Sequence, residues 1–84
     1  MAKVPKLVYK RVDVTWLDAV SGDGWVNVDD LSAPAVCHTR GFLIRDLPEY
    51  IVVAGTIDKE NPELVGDVLT IPKVMITQMK QRKR

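Results

Sequence analysis

The stretch Tyr50-Ile51-Val52-Val53-Ala54-Gly55-Thr56-Ile57 decides the fold class. Five of these eight residues are β-branched, a composition that packs well on a pleated, half-buried surface and is stiff in a helix. Turn chemistry brackets the stretch on both sides. Residues 46–49, around Pro48, divide it from a strand over residues 36–45. Residues 58–63, containing Asn61-Pro62, divide it from a strand over residues 65–71. A last strand is expected over residues 74–79. Between these two, Ile71-Pro72-Lys73 leaves too little room for a hairpin, and Pro72 cannot donate to a ladder. The spacing predicts a single 3₁₀-like turn that swings the last strand across a barrel.

Toward the N-terminus the signals are the same in kind and less regular. Residues 7–16, rich in Val, Tyr, Thr and Trp, read as strand one. Ser21, Gly22, Asp23 and Gly24 make a turn-rich loop. Residues 25–31 are expected as a short helix, with Gly24 at the cap position and Asp23 as the nearest side chain to accept from its first amides. Pro34 closes the segment. Trp25 is expected in the core, and Trp16 partly in the core and partly in a site. The expected architecture is all-β: one small five-stranded SH3-like or Sm-like barrel over residues 1–84, with a short helix or irregular excursion after strand one. A basic flexible tail is expected from about residue 80. Sm-like barrels pair their edge strands into rings, which removes the open edges of so small a sheet. The acidic and aromatic first-loop positions of peptide-binding SH3 domains have no match here.

A chain of 84 residues buries a modest share of its surface, so association into a homo-oligomer is the expected support. The lone Cys37 cannot close an internal disulfide, and Cys37 with His38 falls short of a metal-ligand set, so a reducing compartment and no cofactor are expected. No apolar leader precedes Leu7, and no stretch approaches the roughly 18 apolar residues of a membrane span. A cytoplasmic protein with no membrane partner is the expectation. The net charge of +1 hides an uneven distribution. Lys3, Lys6, Lys10 and Arg11 lie near one end and Lys80, Arg82, Lys83 and Arg84 at the other, while all the acids lie between. The basic end reads as a solubilising tail, because the acidic body would repel a nucleic-acid duplex.

Catalytic groups are scarce. A Cys-His pair needs the base to face the nucleophile, but Cys37 and His38 are neighbours on one strand and point to opposite faces. Gly22-Asp23-Gly24 lacks the Lys and Ser or Thr of a phosphate loop. No enzymatic activity is expected.

Three groups suit ligand binding. Trp16 precedes a polar segment holding Asp18 and Ser21, the combination that stacks on a base and reads its edge. Thr39-Arg40-Gly41 places a hydroxyl and a cation beside a glycine in a strand. That glycine marks either the close approach of a ligand or backbone or, as the simpler reading, a β-bulge. Lys73 is the one cation fixed in the corner, and is either a ligand contact or simply solvated.

Taken in order, Trp16-Leu17-Asp18-Ala19-Val20-Ser21, Gly24-Trp25, the run Cys37-His38-Thr39-Arg40-Gly41-Phe42-Leu43-Ile44, Tyr50-Ile51-Val52-Val53-Ala54, and Leu69-Thr70-Ile71-Pro72-Lys73 with Ile76 resemble a widespread family of short tailed-phage proteins. The resemblance runs from about residue 12 to residue 79. That family is similar to the small viral sponge proteins that counter cyclic-oligonucleotide-based antiphage signalling (anti-CBASS proteins). The resemblance implies a homo-oligomer, a tetramer, that binds 3′3′-cyclic GMP-AMP or a related cyclic dinucleotide in the host cytoplasm without cleaving it. The ligand-binding residues expected on this reading are Trp16, Asp18, Ser21, Thr39, Arg40, Gly41 and Lys73. Two other classes stay open: a phage inhibitor that docks on a host protein, and a small-barrel nucleic-acid binder using the terminal cations and an aromatic face.

Overall fold

The computed structural model describes residues 9–22 and 24–82. Five antiparallel strands form one sheet: β1 (Lys10–Asp18), β2 (Ala35–Asp46), β3 (Tyr50–Ile57), β4 (Val65–Pro72) and β5 (Ile76–Arg82). Their order across the sheet is β4-β3-β2-β1-β5. The four-strand meander is therefore extended by a last strand that crosses to the far side and pairs with the first, the expected SH3-like order.

The crossing is made just after Pro72, the last residue of β4, which pairs with Tyr50. A 3₁₀ turn, η2 (Lys73–Met75), closes with the Ile76 amide donating to the Lys73 carbonyl. The Lys73 amide donates to the Glu49 carbonyl at 2.9 Å, tying the corner to the β2–β3 turn. The core is small. Val12, Val14, Ile51, Val53 and Ile71 form one buried cluster, with Trp16, Leu43 and Ile76 packed against it. Those residues come from all five strands, so the sheet curls around them. No membrane-crossing helix, long and apolar enough, occurs among the described residues.

Gly41 faces this core. A Cβ there would lie 2.6 Å from the Ala54 carbonyl oxygen and 2.7 Å from Val53 Cγ1. The glycine thus admits the backbone of β3, and the β2–β3 register shift falls later, between Leu43 and Arg45. At the outer edge Asp67 in β4 has φ 54, and its carboxylate accepts from the Thr56 hydroxyl at 2.8 Å.

Two segments depart from expectation. Residues 25–31 are not a helix: only η1 (Val28–Asp30) is helical, a 3₁₀ turn capped by Asn27, whose Oδ1 accepts from the Asp29 amide at 3.0 Å. Every residue of this segment is exposed, and so short a helix has no stability of its own. Trp25, expected in the core, is 104% exposed. The second failure is the tail. Lys80, Gln81 and Arg82 belong to β5, opposite Asp13, Val12 and Arg11. Only residues 83 and 84 of that segment, like Leu7 and Val8 of strand one, lie outside the described residues.

Candidate anion-binding face

Directly paired residues of an antiparallel ladder project to the same side of the sheet. The register of β1 against β2 pairs Val12 with Gly41, Val14 with Thr39, Trp16 with Cys37 and Asp18 with Ala35, and these face the core side. Arg11 with Phe42, Asp13 with Arg40 and Thr15 with His38 face outward. From the other flank β5 sets Arg82 beside Arg11 and Lys80 beside Asp13 on this outer side.

The outer face is built around one carboxylate. Asp13 Oδ1 lies 3.2 Å from Arg40 Nε and 3.8 Å from Arg82 Nε. That oxygen is buried and accepts no well-aligned hydrogen bond, so the two guanidinium groups hold it chiefly by charge. Arg11 places its guanidinium carbon 5.4 Å from the centre of the Phe42 ring, a cation–π contact. Arg11, Arg40, Gly41, Phe42 and Arg82 line a shallow cavity of about 170 Å³. Arg40 and Arg82 thus share the Asp13 carboxylate, with Arg11 over Phe42 and Lys80 at the register position beside Asp13. Because the Arg40 side chain is 63% exposed, its ion pair contributes little to stability, about 0–1 kcal/mol. Its remaining N–H donors stay available, in the planar fork that matches phosphate oxygens.

The seven residues expected from the sequence do not form one site. Trp16 Nε1 donates to the Thr39 hydroxyl at 3.0 Å across β1 and β2, and both side chains are half-buried. The indole also leans on the core, so its polar end and the hydroxyl satisfy each other. Asp18 lies further along the same face at the end of β1. Arg40 is on the opposite face from these three, and Gly41 borders its cavity. Ser21 lines a separate hollow of about 340 Å³ among Val20, Val26, Asp30 and Leu31, where a carboxylate makes a poor phosphate seat. Lys73 is elsewhere again, at the corner, 2.6 Å from Asp46 Oδ1. It borders a groove of about 520 Å³ with Pro48, Tyr50, Thr70, Pro72 and Val74.

Arg11, Asp13, Phe42 and Arg82 were absent from the sequence-based site. Period-two alternation does place Arg11 and Asp13 opposite Val12 and Val14. What it cannot supply is the register that brings Arg82 beside Arg11. His38 Nδ1 lies 3.3 Å from the Thr15 hydroxyl on the outer face, while Cys37 faces the core side. Comparison with protein families, with curated proteins and with solved structures finds no match to this chain.

Proposed function

We propose that the protein acts by binding: it captures a cyclic dinucleotide, 3′3′-cyclic GMP-AMP or a close relative, and withholds it from a host defence pathway in the cytoplasm of an infected cell, without cleaving it. The observation that carries this reading is the outer face on which Arg11, Arg40 and Arg82 line one cavity with Phe42, Asp13 being the one carboxylate paired with them among the described residues. A phosphodiester accepts bidentate hydrogen bonds from guanidinium, and a nucleobase stacks on an aromatic or guanidinium plane. One such face suits one phosphate and one base. A cyclic dinucleotide has two of each, so a homo-oligomer, in the resemblance a tetramer, supplies the second set by symmetry.

One observation favours a second reading, a single-stranded nucleic acid. Lys80 and Arg82 sit in β5 beside Asp13 and Arg11, which lengthens the cationic stripe beyond what a compact ligand needs.

Thermal unfolding against a panel of cyclic dinucleotides tests the first reading. Stabilisation by at least one of them is expected, with the ligand recovered intact by chromatography. Arg40→Ala with Arg82→Ala should weaken binding by tenfold or more, since a charge-assisted hydrogen bond contributes about 1.5–3 kcal/mol. A panel without any shift overturns this reading. Salt-sensitive retardation of single-stranded DNA or RNA, lost in the same variant, then selects the second, and failure of both leaves a host protein as the partner.

A further inference from the structure

Residues 24–34, between β1 and β2, form an arm whose every residue is exposed. It is not a polar loop. Trp25, Val28 and Leu31 are 104%, 77% and 70% exposed, and Val26 is exposed as well. A solvated connection does not need four large apolar side chains, and apolar surface gathered in this way marks a contact.

The same chain carries a groove of matching chemistry. At the corner, the cavity of about 520 Å³ is walled by Pro48, Tyr50, Pro72 and Val74, with Thr70, Glu49 and Lys73 at its polar rim. Val74 is 94% exposed and Tyr50 is also exposed, so no described residue covers the groove. Proline rings, a phenol and an isopropyl group are good partners for an indole, and Thr70 or Glu49 offers an acceptor for its N–H.

We infer that the arm seats on a second copy of this chain, with Trp25 of one copy entering the groove between Tyr50, Pro72 and Val74 of the other. A second copy is the occupant because both halves of the contact, apolar arm and apolar groove, stand open on one chain. Area points the same way. A buried tryptophan contributes about 150–250 Å², whereas a stable interface needs roughly 800 Å² from each partner. One arm in one groove falls short of that. A reciprocal exchange, in which each copy gives an arm and receives one, doubles the contact, brings the exposed Val26, Val28 and Leu31 of each arm to the same interface to supply the remaining area, and closes it by two-fold symmetry. This contact does not rest on the cationic face or on any ligand of it.

The test uses the full chain without ligand. Light scattering at micromolar concentration should give the mass of an oligomer. Trp25→Asp and, separately, Val74→Asp should reduce it to the mass of one chain while the far-ultraviolet circular dichroism of the sheet is kept. In a Cys37→Ser background, mixing a Trp25→Cys copy with a Val74→Cys copy under mild oxidation should give the mixed disulfide in preference to like-with-like pairs. A parent chain that stays monomeric, or an oligomer whose mass survives Trp25→Asp, overturns the inference. So does a mixed disulfide no more abundant than the like pairs.

Discussion

β3 and the arm contain the same kinds of residue and have opposite fates. In β3, Ile51 and Val53 are sealed against Val12, Val14 and Ile71, while in the arm Trp25, Val28 and Leu31 stand in solvent. The difference is not hydrophobicity but the presence of a partner at the right distance. Alternation in β3 presents one apolar row to a curled sheet that closes over it. Trp25, Val28 and Leu31 recur every three residues, a helical spacing, yet all three stay exposed among the described residues and only a 3₁₀ turn forms. An apolar pattern specifies structure when the fold brings something to cover it.

That contrast is broken most sharply by cutting into the two regions in turn. Ile51→Ala should destabilise the chain by about 2–5 kcal/mol, the usual result of truncating a large aliphatic side chain in a core. With so few buried residues, much of the population should unfold. Trp25→Ala, a larger deletion, should change the stability of the isolated chain by no more than about 0.5 kcal/mol in chemical denaturation under conditions where it is monomeric. A large loss there would mean that the arm packs on its own sheet.

Gly41→Ala comes next. Its Cβ would strike the Ala54 carbonyl oxygen and Val53 Cγ1, so β2 and β3 must part, at about 1–3 kcal/mol. A neutral result would show that β3 does not approach this closely. A smaller effect than at Gly41 is expected at the join between core and site. Thr39→Val removes the acceptor of Trp16 Nε1 and should cost about 1 kcal/mol, read as a shift in denaturation midpoint. It should leave ligand binding on the outer face unchanged. Lost binding with unchanged stability would move the site to the core side, on which Trp16 and Thr39 lie.

How far the sequence could be read follows from the range of the interactions involved. β3 was legible to the residue because β-branched content and flanking turns are local, and the corner was legible because Pro72 lacks an amide proton whatever surrounds it. Strand ends shifted by one to three residues elsewhere, as at β5, which continues through Lys80 to Arg82. There a run of charges looked like a tail, and only its pairing with β1, distant in sequence, makes it a strand. The site suffered more for the same reason. Arg40 was found, but Arg11 and Arg82 join it through register, and Asp18, Ser21 and Lys73 were grouped by chemistry although the fold sends them to separate places.

The conformation of Asp67 bears on how the molecule avoids uncontrolled assembly. β4 is an outer strand, and an open strand is a template on which further chains can polymerise into fibrils. The left-handed φ of Asp67 interrupts the extended backbone, and the β3–β4 register passes from Ala54–Val68 to Thr56–Gly66 without a pair between. A kinked, charged strand is a poor template. At the opposite edge β5 carries Lys80 and Arg82, whose like charges repel a second copy laid alongside. With both edges guarded in this way, amyloid growth is discouraged at the two positions where a curled sheet of this size is most vulnerable to it.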